Sequence, residues 1–432
     1  MAQYSADRNA VFAVPDWDVS WSVDLSRDCP SNPALCIETG TPFVPAEING
    51  DLSIAGTTLY VESYDRRLYA LDALTGRVTW SSPMTNIAMN APLISNGAVI
   101  VGTGGGLGYA YAPDSHGTQV LRRSQGDDVM AFDTATGHLL WTFHTAGENM
   151  PTGVVTDADG PKVVFTSGDE LAYVLDVTGG TRASAVGTPG SGIMSSLALS
   201  DGIIYGSSGY GWGSPILYKA FATHDSVLAA HAGWTWAMSG GKLLWTSPYG
   251  NGHGSPVVGD GTVFVESTVV GSWTNISIWR TEVDALDAVT GRLRWRYVTA
   301  PGTAHSPGSN NDAIGGVYEA GVLYQTLPYA RAFAAFDGAS GRIVWAIPTH
   351  GIVKMSGVVA AGKLYFGDSE GYLYVVDAAS GAVEQQVKFP SLFACSSPVI
   401  VGQTMFVANG STLYALRLTD LNRGILSSAA TP

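Results

Sequence analysis

The stretch VDALDAVTGRLRW, residues 283–295, decides the fold because its pattern returns along the chain. LYALDALTGRVTW ends at Trp80, VMAFDTATGHLLW at Trp141 and AFAAFDGASGRIVW at Trp345, and further copies keep part of the pattern. In each of these copies the tryptophan follows a glycine by four residues. The aspartate that opens the turn can accept hydrogen bonds from backbone N–H groups, and glycine tolerates a left-handed backbone. The pattern therefore predicts a tight turn between two strands.

Two more alternating apolar runs around a glycine turn precede each such hairpin, as in SPVVGDGTVFVE (255–266). Four short strands per repeat are typical of propeller blades. Seven repeats are complete, and the eighth has only three strands before the chain ends. We expect a segment at about residues 16–22, which places Trp21 like the other tryptophans, to supply the missing outer strand. The sequence thus predicts one all-β domain over 1–432, an eight-bladed β-propeller closed by its N-terminal strand.

Charge and composition exclude several partners. Only 13% of the residues are charged and the formal net charge is −14, so nucleic acid and anionic membranes are not expected to bind. No apolar run of about 18 residues occurs, so no membrane span is predicted. A chain with few carboxylates also loses little stability in acid, which favours an acidic setting outside the cytoplasm.

Cys29 and Cys36, in CPSNPALC, are close enough for a local disulfide, which would indicate an oxidising compartment. The alternative is a pair of free thiols in a cytosolic loop. The opening MAQYSADRNA resembles a mature start with a methionine added. We therefore expect a periplasmic or extracellular protein whose signal peptide is not part of this sequence.

Three long insertions, 102–128, 206–233 and 267–282, all fall between the second and third strands of a blade. That connection lies on one face of a propeller, here called the decorated face, and the DxxTG turns lie on the other, the trimmed face. Functional loops often cluster in this way. The insertions also offer a surface for a homodimer.

Candidate site residues follow from the same alignment of blades. Glu266 ends a second strand and heads an insertion, and His253, Lys354 and Cys395 begin innermost strands that should point to the central channel. A carboxylate, two cationic groups and a thiol in a funnel are suited to acid/base work on an anion. The alternative is a satisfied salt bridge between Glu266 and His253 or Lys354. The methionines at the same level, Met89, Met150 and Met194, indicate apolar packing rather than a metal site.

The ALDAxTGxxxW repeat resembles the tryptophan-docked blades of the pyrroloquinoline-quinone dehydrogenases over nearly the whole chain. Those enzymes hold their quinone above a pair of adjacent cysteines. The three cysteines of this chain are not adjacent, so we expect no quinone cofactor, and the tryptophans should pack between blades.

Within that group, the chain is similar to the tetrathionate hydrolases of acidophilic sulfur oxidisers. The segments that carry the similarity are VFAVPDWDVSW (11–21), GTGGG (102–106), LLWTFHTAGENMPT (139–152), IMSSLAL (193–199), FVEST (264–268) and SPVIVG (397–402). The resemblance implies a secreted or periplasmic, cofactor-free enzyme that works in acid and splits tetrathionate to thiosulfate, sulfate and sulfur. It also places a catalytic base of the family, an aspartate there, at Glu266.

The sequence thus leads to the hypothesis of a polythionate hydrolase with a small anionic substrate. His253, Lys354, Arg122 and Arg123 would neutralise the sulfonate groups, and Glu266 would deprotonate a water that attacks sulfur. Cys395 would be a spectator or would accept a sulfane sulfur. Two rival functions remain, a non-enzymatic scaffold of the outer-membrane assembly type and a quinone-dependent dehydrogenase.

Overall fold

The computed structural model is a ring of eight four-stranded antiparallel sheets, as the repeats predict. It describes residues 18–25, 47–105, 110–113, 120–150, 152–156, 160–192, 194–209, 233–250, 254–269, 280–300 and 315–418. Within these ranges the only helical element is a 3-10 turn at Pro328–Ala330. No helix among them is long and apolar enough to cross a lipid bilayer.

The chain begins with β1 (Val19–Asp24) and then runs through each blade from its innermost strand outward. The first four blades consist of β2 (Ser53–Ala55), β3 (Thr58–Ser63), β4 (Arg67–Asp72) and β5 (Val78–Pro83); β6 (Leu93–Ser95), β7 (Ala98–Gly102), β10 (Asp128–Asp133) and β11 (Leu139–His144); β12 (Val154–Thr156), β13 (Lys162–Thr166), β14 (Leu171–Asp176) and β15 (Arg182–Gly187); and β16 (Ala198–Ser200), β17 (Ile203–Gly209), β18 (Gly233–Ser239) and β19 (Lys242–Ser247). A separate hairpin within blade 2 is formed by β8 (Ala110–Pro113) and β9 (Val120–Arg123).

Blades 5 to 8 repeat the order. They consist of β20 (Val257–Gly259), β21 (Thr262–Val269), β22 (Arg280–Asp287) and β23 (Leu293–Val298); β24 (Gly316–Glu319), β25 (Val322–Leu327), β26 (Ala332–Asp337) and β27 (Ile343–Pro348); β28 (Val358–Ala360), β29 (Lys363–Gly367), β30 (Tyr372–Asp377) and β31 (Val383–Lys388); and β32 (Val399–Val401), β33 (Thr404–Asn409) and β34 (Thr412–Arg417). The innermost strands of neighbouring blades contact each other, so they surround the axis of the ring.

The ring closes through its two chain ends. Strand β1 pairs antiparallel with β34, with Trp21 opposite Ala415, and completes the eighth blade. The predicted segment, about 16–22, overlaps β1, which begins at Val19 and ends at Asp24. Closure removes an unpaired strand edge, which an open sheet would expose.

The repeat tryptophans hold neighbouring blades together. Each donates its indole N–H to the backbone oxygen of the residue that follows the turn aspartate of the next blade. The six donor–acceptor pairs within the described ranges are Trp21–Ala73 (3.0 Å), Trp80–Thr134 (3.1 Å), Trp141–Val177 (2.8 Å), Trp245–Ala288 (3.0 Å), Trp295–Gly338 (2.8 Å) and Trp345–Ala378 (2.9 Å). The prediction that the tryptophans pack between blades is confirmed.

The turn glycine is required by this docking. At Gly291 φ is +68°, a left-handed conformation, and a Cβ added there would lie 2.5 Å from Cε3 of Trp245. The preceding aspartate, Asp287, accepts hydrogen bonds from the backbone N–H groups of Val289 and Thr290. Sequence pattern and packing therefore impose the same residue at this position.

Two of the three insertions, those of blades 4 and 5, are shorter than the sequence predicted. Residues 267–269 and 280–282 continue β21 and β22, and Ser267 pairs with Glu282. Strand β17 likewise runs to Gly209 before the insertion of blade 4 begins. In both blades the backbone groups at these positions pair with the neighbouring strand, so the strands are longer than in most other blades. Glu282, which the predicted insertion 267–282 includes, thus lies on the sheet.

Candidate functional site

A series of hydrogen bonds runs around part of the axis, just before the innermost strands. Each bond joins the backbone N–H of one blade to the side chain at the equivalent position of the next. The bonds in the described ranges are Ala91 to Thr152 Oγ1 (2.7 Å), Thr152 to Ser196 Oγ (3.2 Å), Ser196 to Ser255 Oγ (2.9 Å), Ser356 to Ser397 Oγ (3.2 Å) and Ser397 to Asp51 Oδ1 (2.5 Å). They join blades 2 to 5 in one run and blades 7, 8 and 1 in another, and they fix the relative level of the blades within each run.

Two predicted site residues occupy equivalent positions in their blades, each two residues before a serine that makes one of these hydrogen bonds. Lys354 belongs to blade 7 and is half-buried, and Cys395 belongs to blade 8 and is buried. Glu47, in the adjoining blade 1, is 7% exposed. Burial raises the pKa of the Glu47 carboxyl, although a hydrogen bond with Asn49 and the positive charge of Lys354 partly oppose the rise. Lys354 therefore lies close enough to the Glu47 carboxyl for their charges to interact, and Cys395 lies at the equivalent position of the next blade.

Glu266 lies elsewhere in the ring. Its backbone pairs with Val283 and the residue is 1% exposed. Residues two apart on a strand share a face, so Glu266 projects to the same side as Phe264. The ring of Phe264 stacks on Tyr318 of blade 6, with 5.1 Å between centroids. The carboxyl group thus lies in the interface between blades 5 and 6, whereas Lys354 belongs to blade 7.

Glu62 is the counterpart of Glu266 in blade 1. It has the same position on the second strand and is also 1% exposed. Its Oε2 accepts a hydrogen bond from the backbone N–H of Asn90 in blade 2, at 3.2 Å. Burial, together with the nearby Asp51, raises the pKa of Glu62 well above its ordinary value. A carboxyl at this position can therefore serve to join two blades.

Blade 5 carries a second set of buried carboxyls that sequence reasoning missed. Glu282 and Asp284 lie on the opposite face of the sheet from Glu266, and they are 3% and 0% exposed. Arg296 of β23 contacts both, with 2.9 Å from Nε to Asp284 Oδ1 and 3.4 Å from Nη2 to Glu282 Oε1. Its guanidinium lies over the ring of Tyr249, 4.8 Å from the centroid. The alternation of acidic and apolar residues in TEVDA (281–285) is the signal that could have revealed this pair.

Two carboxyls on the decorated side have raised pKa values. Burial raises the pKa of Glu282 to about 8, and the neighbouring Asp284 adds to the rise while Arg296 opposes it. Burial also raises the pKa of Asp127 to about 6, against hydrogen bonds from Ser124. These carboxyls hold their protons to a higher pH than in water, because burial penalises the charged form. As the pH falls, these two groups therefore lose their negative charge at a higher pH than ordinary carboxyls do.

Other predicted residues lie outside what the structure describes. These are His253, the side chains of Arg122 and Arg123, and the pair Cys29 and Cys36. The backbone of Arg122 and Arg123 belongs to β9 and pairs with Tyr111 and Ala110. The predicted disulfide and the proposed anion contacts of this hairpin stay predictions.

The cysteines do not fit a quinone site. Cys395 is buried and its sequence neighbours are Ala394 and Ser396, so no two cysteines are adjacent in the sequence. The adjacent pair that holds the quinone in the dehydrogenases therefore has no counterpart in this chain. In the ranges that the structure covers, no cluster of three or more His, Cys, Asp or Glu side chains could hold a metal ion.

Comparisons with known proteins agree with this architecture. Over 96% of the chain, the sequence is 27% identical to the tetrathionate hydrolase of Acidithiobacillus ferrooxidans, covering 85% of that protein. It is 22% identical to the outer membrane protein assembly factor BamB of Yersinia pestis, over 95% of the chain and 81% of that protein. The solved quinohemoprotein alcohol dehydrogenase ADHIIG of Pseudomonas putida HK5 superposes with a TM-score of 0.62 at 13% identity, covering 95% of this chain and 77% of that one.

The structural likeness shows the fold, and the sequence likeness to a tetrathionate hydrolase supports a hydrolase. A family model described as outer membrane protein assembly factor BamB matches residues 15–186 and 329–424, more than half of the chain. By this match, the chain belongs to the BamB family of PQQ-type propellers.

Proposed function

We propose that the protein is a polythionate hydrolase of the periplasm or cell exterior that works in acid. The observation that carries the proposal is the 27% identity to a tetrathionate hydrolase over 96% of the chain. Glu266, the predicted base, is a buried carboxyl on β21, the strand that leads into the insertion of blade 5.

Electrostatics support an acidic setting. A polythionate carries two negative charges, and the protein carries a formal net charge of −14 at neutral pH. Because the pKa values of Glu47, Glu62 and Asp127 are raised by burial, these groups become neutral at a higher pH than ordinary carboxyls do. Repulsion of an anion therefore weakens as the pH falls.

In the proposed reaction, Glu266 accepts a proton from a water whose oxygen attacks a sulfonate sulfur. The new S–O bond forms as the adjacent S–S bond breaks, and the electron pair of that bond leaves with the sulfur chain. For tetrathionate, the chain then divides into thiosulfate and elemental sulfur, sulfate is the other product, and two protons are released. Lys354 and the cationic insertion residues would hold the sulfonate oxygens.

The test is thiosulfate release from tetrathionate and trithionate at about pH 3 and about pH 7, with wild type, Glu266→Gln and Glu62→Gln. Glu62 is the matched control, because it has the same blade position and the same burial. We expect Glu266→Gln to lose at least about a hundredfold in turnover while Glu62→Gln stays within a few-fold of wild type. Equal losses in both variants would assign Glu266 a role in joining blades.

The second candidate is a scaffold that binds other proteins. The family match over 15–186 and 329–424 and the 22% identity with an outer membrane protein assembly factor favour it. If a folded wild-type protein turned over neither tetrathionate nor trithionate, this scaffold function would be favoured over the hydrolase.

A further inference from the structure

Arg296 is held in one orientation by two different contacts. Nε donates to Asp284 Oδ1 at 2.9 Å, and the guanidinium plane covers the ring of Tyr249. These contacts use the Nε edge and one face of the group. Among the residues that the structure describes, its outer edge has only the looser contact of 3.4 Å with Glu282, and the side chain is 31% exposed. A guanidinium fixed in this way can present two parallel N–H groups to an oxyanion.

The charge count explains why the contact with Glu282 is loose. One guanidinium faces two carboxyls that are almost fully buried, and two buried charges of the same sign repel strongly. A shared proton relieves that repulsion, so Glu282 stays neutral while Asp284 pairs with the arginine. The rise in the pKa of Glu282 to about 8 agrees with this count. The charged groups that shift Glu282 are Asp284 and Arg296, and the guanidinium of Arg296 interacts in turn with Tyr249.

The group lies on the side of the sheet where two insertions join the strands. Strand β17 ends at Gly209, before the insertion of blade 4, and β22 starts at Arg280, directly after the insertion of blade 5. Between the two blades, the backbone N–H of Gly250 donates to Ser267 Oγ at 2.8 Å. A Cβ at Gly250, whose φ is +103°, would lie 2.7 Å from Ser207 Oγ and from Thr235 Oγ1. The interface between blades 4 and 5 is therefore polar and tightly packed at its decorated end.

We propose that Arg296 is a binding site for one sulfur oxyanion group, and that Glu282 competes for its outer edge only when it loses its proton. The choice of a sulfur oxyanion rests on the proposed function; the geometry by itself requires a small oxyanion. Two sources share this chemistry, the sulfonate end of a polythionate and a free sulfate or thiosulfate product. Below the pH at which Glu282 ionises, Arg296 is available to the ligand.

The experiment is isothermal titration calorimetry at constant ionic strength, at about pH 6 and about pH 9, without turnover. The probes are sulfate, thiosulfate and 1,3-propanedisulfonate, which has two sulfonate ends but no S–S bond to hydrolyse. We expect wild-type affinity to fall about tenfold between the two pH values, since one proton must be kept for binding. Glu282→Gln should bind equally at both, because its side chain cannot ionise.

Arg296→Lys should weaken binding at least about tenfold at either pH, because lysine keeps the charge but loses the fork of parallel donors. Arg294→Lys is the matched control, since Arg294 lies on the same side of β23 and pairs with Asp287 at the trimmed end. Affinity unchanged in Arg296→Lys, or no binding of any probe to wild type, would overturn the proposal. Tighter binding of the disulfonate than of sulfate would indicate substrate, and the reverse order would indicate product. Turnover of a polythionate without binding of these probes would contradict the Arg296 site but not the proposed hydrolase function.

Discussion

Trp21 donates its indole N–H to the backbone oxygen of Ala73 at 3.0 Å, which joins the last blade of the ring to the first. The same contact, Trp80 to Thr134 at 3.1 Å, joins blades 1 and 2 within the continuous chain. The closure contact therefore has the geometry of an ordinary blade contact. It differs in that its strand comes from the other end of the chain.

Removing the closure tryptophan should destabilise the ring. Trp21→Phe keeps most of the packing and loses one hydrogen bond, so we expect a loss of about 1 kcal/mol in the free energy of unfolding. Trp21→Ala should lose about 3 to 5 kcal/mol, because Trp21 is buried. Urea denaturation followed by circular dichroism measures both. Trp80→Phe is the control and should match Trp21→Phe, and a Trp21→Ala loss below about 1 kcal/mol would contradict this role.

The turn glycines offer a test of tryptophan docking. Gly291→Ala would meet Trp245, whereas at Gly261 the nearest atom to an added Cβ is Arg294 Nη2, 3.9 Å away. Both residues have nearly the same φ, +68° and +66°, so the backbone strain is shared. We expect Gly261→Ala to cost about 1 kcal/mol from strain alone. Gly291→Ala should cost roughly 1 to 3 kcal/mol more, by chemical denaturation. Equal costs would mean that the indole moves aside freely.

Glu282 should make the protein more stable in acid than at neutral pH. Its pKa is raised from 4.5 to about 8 in the folded state, so the folded protein binds more protons than the unfolded chain between these values. The stability it contributes is fully present below about pH 4.5 and is lost as the pH rises toward about 8.

Comparison of Glu282→Gln with wild type isolates this contribution. The free energy of unfolding of wild type should fall by up to about 1.4 kcal/mol per pH unit more steeply than that of the variant across this window. Denaturant titrations at intervals of pH measure the difference. Parallel curves for the two proteins would show that Glu282 ionises normally in the fold.

Cys395 should behave as a spectator in the proposed hydrolysis. The thiol is buried, with 9% of the residue exposed, so Cys395→Ala should leave turnover of tetrathionate within about twofold and lower stability slightly. A loss of turnover, together with a mass gain of one sulfur atom in wild type stopped during reaction, would instead assign it the role of sulfur acceptor.

Much of the architecture could be predicted because one repeat contains all of its determinants. The DxxTG turn, the tryptophan four residues later and the alternating apolar runs fix both the strands of a blade and its contact with the next. The number of blades and the closure by an N-terminal strand follow from counting the repeats, because the eighth has only three strands. The structure confirms them, with β1 beginning at Val19 rather than near residue 16.

The candidate site could be predicted only in part, because the facing of a side chain depends on strand register. The sequence singled out Glu266 as an acid at a strand end, but its position in the interface with blade 6 emerges only from the pairing of β21 with β22. Glu282 and Asp284 were assigned to a loop and to an ordinary repeat. They meet Arg296 because the strands continue into the predicted insertion, which no spacing rule indicated.

The hydrogen bonds around the axis leave gaps in the described part of the ring. The position that would accept the bond is Ala91 in blade 2 and Gly315 in blade 6, and neither residue has a polar side chain. The blades just before these two, 1 and 5, are those that carry the buried carboxyls Glu62 and Glu266. Both carboxyls therefore lie at junctions between blades where this bond is lacking, and at the first of them the hydrogen bond from Asn90 to Glu62 provides a polar link in its place.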